Sequence, residues 1–150
     1  MKNVLFLLLI PLIYSAQISK LDEKNGFKTY VFGSSPKKFS NLLLEIDEGN
    51  TKLYSLDQSN INHDGAEFEY IRITFCKDML SAISLQTKNA TAQKFLASLI
   101  ENYGEPDKSN KQKEYYEWLS KKCQLVYEKN AMSNDATISF YAKTICKNKD

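Results

Sequence analysis

"AEFEYIRITFCKDMLSAISLQTK", Ala66 to Lys88, is the stretch whose reading decides the fold. Its β-branched and aromatic residues recur at strand density. Lys77-Asp78 divides it into runs over about 66–76 and 79–87, so the natural reading is two antiparallel strands on a two-residue turn, although Gly would suit the second turn position better. Inside the first run the alternation changes phase. Phe68 and Tyr70 share one face, whereas Ile71, Ile73 and Phe75 share the other. Such a change means either a strand covered on both faces or a β-bulge near Tyr70. Under both readings the hairpin commits the chain to an antiparallel sheet.

Towards the C-terminus, "NATAQKFLASLIENYGEP" places Ala92, Phe95, Leu96, Leu99, Ile100 and Tyr103 on one stripe of a 3.6-period helix. Asn89 or Thr91 can cap its start, Gly104 suits the position after its end, and Pro106 prevents continuation. "KEYYEWLS", "KCQLVYEKN" and "ATISFYAKTIC" then read as a three-stranded meander, with a solvated loop before it. In the first of these strands Tyr116 and Trp118 share a face, and Tyr115 points the other way.

Towards the N-terminus, "DQSNINHDG" is a polar loop, "TKLYSL" a strand and "DEGN" a turn. In "GSSPKKFSNLLLEI", Ser35 is a natural N-cap and Pro36 fits the first helical position. With Phe39, Leu42 and Leu43 three and four apart, the segment predicts a short helix over residues 36–44. "FKTYVF", Phe27 to Phe32, reads as a strand. The expected fold is therefore α+β, in the order β-α-β-β-β-α-β-β-β, with an antiparallel sheet and both helices packed on one of its faces.

The first sixteen residues read as a targeting segment. Lys2 provides a positive start, Val4 to Ile13 is apolar but for Pro11, and small Ser15 and Ala16 follow. This is the pattern of a secretory signal peptide, and the apolar run is about half the roughly 20 residues a spanning helix needs. The expectation is cleavage between Ala16 and Gln17, a single exported domain over 17–150 in the periplasm or secreted, and no membrane span after cleavage. No Cys lies near the junction to carry a lipid. The formal charge is only +2, and Arg72 is the sole arginine among lysines interleaved with acids. That disfavours nucleic acid as a partner, since its binders cluster Arg and Lys against phosphate.

An exported chain meets an oxidising compartment. Three cysteines allow one disulfide plus one buried thiol, or three small buried thiols. If the last two strands were joined by a two-residue turn at Asn134-Asp135, Cys123 and Cys146 would fall opposite each other and could bridge. A turn at Ser133-Asn134 would offset them by two residues.

Catalytic residues are not evident. His63 is the only histidine. Its pairing with Cys76, or with adjacent Asp64, has no local geometry to enforce it, and Glu67 and Glu69 alternate as on the wet face of a strand. Zinc-ligand spacings, an alternating acidic calcium loop and a glycine-rich phosphate loop are all missing from the sequence. No cofactor is expected. The aromatic residues carry the functional expectation instead, because Tyr and Trp are favoured at protein interfaces. Tyr115, Tyr116 and Trp118 are the candidate partner-binding residues, and Trp118 is the one expected to turn inward to the core.

"GFKTYVFGSSPKKF", "GAEFEYIRITFCKDMLSAISL" and "YGEPD…YYEW" together resemble a group of uncharacterised exported bacterial proteins with an FG-x-x-P opening, a GAE hairpin and a YG-x-P…W close. The resemblance covers most of the chain after residue 16. Cys76 and Asp78 depart from it, standing where the pattern has an aromatic and a glycine. It implies export and no catalytic residue. Helix-then-strands, twice, is also similar to β-lactamase-inhibitor-like tandem α/β proteins and to small outer-membrane assembly lipoproteins, and likeness of architecture does not transfer function. The reading is of a non-enzymatic module binding a protein or envelope component through exposed sheet surface. The alternative is a small periplasmic hydrolase or small-ligand binder, which would need a concave pocket at His63 or Cys76 with convergent polar groups.

Overall fold

The computed structural model describes residues 19–56, 62–88 and 90–146. The expected signal segment and the Asn89 cap lie outside them. The 66–88 hairpin forms as read: β6 (Ala66–Cys76) and β7 (Met79–Lys88) pair antiparallel, with Cys76 opposite Met79. Lys77 and Asp78 both take positive φ, 50° and 58°, so the tight turn forms without the glycine. The phase change is a bulge. The register slips between Phe68 and Tyr70, leaving Glu69 unpaired, and this lets Phe68 and Ile71 both reach the core.

Around this hairpin the strands assemble into one nine-stranded sheet. β3 (Leu42–Glu48) and β4 (Thr51–Leu56) lie on one side of it. β11 (Ala136–Ala142), β10 (Cys123–Lys129), β9 (Tyr115–Leu119) and the short β8 (Lys108–Asn110) follow on the other. β5 (Asn62–His63) pairs with the start of β6. All these pairings are antiparallel. A separate two-stranded ribbon, β1 (Gly26–Phe27) with β2 (Tyr30–Val31), replaces the single strand expected over residues 27–32.

One rung shows how the sheet makes its core. Tyr54, Ile73, Ile83, Phe140, Leu125 and Trp118 are successive partners across β4, β6, β7, β11, β10 and β9. Ile73, Ile83, Phe140 and Leu125 are fully buried. Helix α2 (Ala92–Tyr103) lies over this side as its stripe requires: Phe95 packs edge-on to Phe68 at 5.0 Å, and Tyr103 contacts Phe140 at 5.6 Å. Thr91 precedes the helix but does not cap it. Its hydroxyl instead donates to the Lys88 carbonyl at 2.8 Å and accepts from the Glu67 amide at 3.1 Å, holding the helix entry against β6.

The other helix is not where the sequence pattern put it. α1 (Lys20–Lys24) precedes the ribbon, capped by the Ser19 hydroxyl, with Leu21 buried. Of the helix expected over 36–44, only a 3-10 turn forms, Pro36–Lys38, capped by Ser35 as read. Leu42–Glu48 is a strand because Gly49-Asn50 makes a two-residue turn that brings Glu48 opposite Thr51 and sets the segment against β4. Ladder hydrogen bonds to β4 outweigh a helix of two turns, which is marginal alone.

The cysteines pair differently too. Cys76 is bonded to Cys146, with Cα atoms 5.9 Å apart and 70 residues between them in sequence, and Cys123 is a buried free thiol. β10 and β11 are joined by residues 130–135, not by a two-residue turn, so Cys123 faces Ala142, four residues short of Cys146. β11 runs parallel to β6, two lanes away, so its C-terminal end emerges beside the C-terminal end of β6, where Cys76 sits. Among the described residues no helix is long and apolar enough to cross a membrane.

Candidate functional site

The residues that carry the sequence resemblance form structural joints. Gly26 has φ 145°, and a Cβ there would lie 2.1 Å from the Tyr30 carbonyl oxygen, so the ribbon demands glycine. The Tyr103 hydroxyl donates to the Gly26 carbonyl at 3.0 Å, tying the end of α2 to the ribbon. Gly33 and Ser34 bond through their backbone to Leu80 at the start of β7. Trp118 is 2% exposed and its Nε1–H donates to the Gly104 carbonyl at 2.7 Å. "YGEP" and "YEW" are thus two sides of one joint, helix exit against strand, and Trp118 is removed from the partner-binding set. Tyr116, on the same face, is half-buried against Tyr127 at 5.8 Å.

Tyr115 does lie on the opposite face, half-buried, in a row that runs Tyr70, Gln86, Thr137, Glu128, Tyr115 across the sheet. The centre of this face carries Ser84, Ser139 and Thr137, which is a polar surface and not an aromatic patch. Besides Tyr115, its outward aromatic residues include Tyr70, which stacks under the Arg72 guanidinium at 4.6 Å, and Tyr141, 44% exposed.

The apolar surface lies instead at the edge. Among the described residues β3 is paired only to β4, and it exposes Leu43 (56%), Leu44 (54%) and Ile46 (47%). These are three of the six large apolar residues exposed among the described residues. An edge strand offers unpaired backbone donors and acceptors to any chain that can lie beside it. Glu45, Asp47 and Glu48 make the same strand acidic, and Glu45 accepts from Arg72 Nε at 3.0 Å. Sequence reasoning missed this surface because it placed Leu42 and Leu43 on the inner stripe of a helix.

A second feature is concave. α1, the β1–β2 turn, the β5–β6 turn and α2 enclose a cavity of about 170 Å³. Phe27, Phe95, Leu99 and Tyr103 form its apolar floor. Its rim is a continuous polar chain. Lys28 Nζ lies 3.2 Å from Asp64 Oδ1, and Asp64 Oδ2 accepts from the Ser98 hydroxyl at 3.2 Å. Asn102 donates to Ser98 Oγ at 3.3 Å and accepts from Lys24 Nζ at 3.4 Å. Ser98 and Asn102 are one helical turn apart on α2, and Asp64 is held at the rim by its positive φ of 57° beside Gly65 at 74°, the tight turn that joins β5 to β6.

His63 and Cys76 do not line this cavity. His63 sits between Phe27 at 6.2 Å and Phe68 at 6.3 Å, where burial and then the Lys28 charge hold its pKa below the ordinary imidazole value. The Cys76 sulfur is committed to its disulfide. Burial pushes the Cys123 thiol up to about 11, so it stays protonated at neutral pH. No family model, curated protein or solved structure matches this chain.

Proposed function

We propose that this chain is an exported, non-enzymatic binding domain, and that its partner is a protein that adds an extended segment to the free edge of β3. The observation that carries the reading is the exposure of Leu43, Leu44 and Ile46 on a strand whose outer edge is unpaired among the described residues. Backbone pairing would supply affinity, and alternate side chains would supply selectivity. The acidic residues of β3 call for a basic complement, so the segment sought is one that alternates apolar residues with Lys or Arg. A second copy of this chain would bring the same three acids to the interface, which makes a heterologous partner the better fit. The Cys76–Cys146 disulfide and the N-terminal sequence support an oxidising, exported setting. The structural commitments of His63 and Cys76 support a binding role over a catalytic one.

A display library of unstructured ten-residue peptides, panned against the mature domain, tests this directly. The expected result is enrichment of apolar-basic alternating peptides that slow amide exchange across Leu42–Glu48. Binding should fall at least tenfold in a Leu44→Asp/Ile46→Asp variant that keeps its far-ultraviolet spectrum. Peptides that bind without protecting β3 would sink the proposal. So would a wild-type domain that sediments as a dimer and becomes monomeric in that variant, because the edge would then belong to a second copy.

A further inference from the structure

The geometry points to a small-ligand site in the cavity between α1, α2 and the two turns, built for a small monocarboxylate with an apolar body. The inference is independent of the β3 edge. Its volume, about 170 Å³, lies below the roughly 300–1,000 Å³ that accommodates drug-sized ligands, so the occupant is a small metabolite.

The apolar floor sets one end of the ligand. Phe27 and Tyr103 are buried apart from the small part of each ring that lines the cavity, beneath the Lys28 and Lys24 ammoniums, so the apolar body must be compact. The rim sets the other end. Among the described residues Lys28 hydrogen-bonds Asp64 and lies 5.8 Å from the Phe27 ring centre, and Lys24 hydrogen-bonds Asn102 and lies 5.7 Å from that of Tyr103. An ammonium carries three donors, so each has donors to spare. The Asp64 carboxylate already receives Lys28 on one oxygen and Ser98 on the other. The rim therefore has unused donors and a carboxylate that is already answered, and its two lysines outnumber that one acid. This is an acceptor-seeking, net positive mouth over an apolar base, and a carboxylate group placed between the lysines would meet charge-assisted donors from both sides.

The neighbouring imidazole leaves this balance unchanged near neutral pH, since its surroundings disfavour protonation. Other acids facing the rim lie further out: Glu101 flanks an adjoining, more open surface beside Asn102, and Glu23 lies beside Lys24 on α1. They give the approach mixed charge without entering the cavity.

The probe is phenylacetate, with phenethylamine as a cation of similar apolar body and benzyl alcohol as its neutral counterpart. Titrated into the disulfide-bonded domain and followed by amide chemical shifts, phenylacetate should shift the signals of Lys28, Ser98, Leu99 and Asn102 saturably at millimolar concentration or below. A Lys28→Gln variant should weaken binding by about tenfold, the worth of one hydrogen bond to a charged group, and a Lys24→Gln/Lys28→Gln variant should abolish it. Lys28→Arg, which keeps the charge, guards against loss of fold and should retain most of the affinity. Phenethylamine binding as tightly as phenylacetate, phenylacetate shifts mapping elsewhere, or no saturable shift with any probe would each overturn the assignment.

Discussion

Breaking the Cys76–Cys146 bond should be the most damaging single covalent change to this fold. The bond ties the segment after β11 to the end of β6 and closes a loop across 70 residues of separation. In the chain-entropy description, a loop of that length removes about 4 kcal/mol of freedom from the unfolded state, and measured effects generally fall between roughly 2 and 4 kcal/mol. At a urea slope of about 1.5 kcal/mol/M, the midpoint should fall by about 1.3 to 2.7 M. Trp118 is the only tryptophan and is buried, so its emission reports the transition. The experiment compares the oxidised domain, the same protein in reductant, and a Cys146→Ser variant. The last two should coincide. Thiol titration gives an independent check from the same material. The oxidised native protein should expose no reactive thiol, because Cys123 is buried and its pKa is pushed to about 11. One thiol should appear on denaturation and all three after reduction. A midpoint indifferent to reductant, or a crosslinked peptide joining Cys123 to Cys146, would refute the reasoning.

Two further outcomes follow from particular contacts. Trp118→Phe deletes the donor to the Gly104 carbonyl and leaves space in the joint between α2 and β9, and it should lower stability by roughly 1–3 kcal/mol with an unchanged denaturant slope; a loss under half a kcal/mol would show that the joint is held elsewhere. Stability should also fall in acid. Glu117 is held below the usual carboxyl range by its bond from Lys108 and, against the opposing effect of burial, by Gln124. For Asp22 burial pushes upward, but the Ser120 hydroxyl and the backbone amides of Lys122 and Lys121 outweigh it. Both groups therefore bind protons less readily folded than unfolded. Their contribution is complete above the unfolded values of about 4 and disappears as pH falls below that through the folded ones. Urea midpoints between pH 6 and pH 2.5 should show the decline, and an Asp22→Asn/Glu117→Gln variant should flatten it; an equally steep decline in the variant would assign the effect to other acids.

Much of this architecture is legible in local pattern. The 66–88 hairpin, α2 with its Gly104 exit, and the three strands β9, β10 and β11 follow from periodicity within about twenty residues, whereas the choice of a bulge near Tyr70 over a strand covered on both faces, and the long β10–β11 connection, come from the structure. Alternation places Trp118 and Tyr115 on opposite faces, and Trp118 is on the inward one, as expected. In those segments the local preference and the tertiary environment agree, and the helix or strand period is repeated often enough to be unambiguous.

Residues 42–48 show where local pattern fails. One and a half turns of apolar spacing after a sound helix start look the same as the beginning of an edge strand, and only the tight Gly49-Asn50 turn and the waiting edge of β4 decide between them. The candidate partner surface is a product of that decision. Tertiary structure alone also determines the disulfide, because the lane order of the sheet, not distance along the chain, brings the ends of β6 and β11 together. The cavity belongs to the same class: Lys24, Lys28, Asp64 and Ser98 come from four separate segments. Sequence by itself determined the elements whose hydrogen bonds and apolar faces are settled by near neighbours. The edge, the bridge and the cavity depend on contacts between segments distant in the chain, and no local period records those.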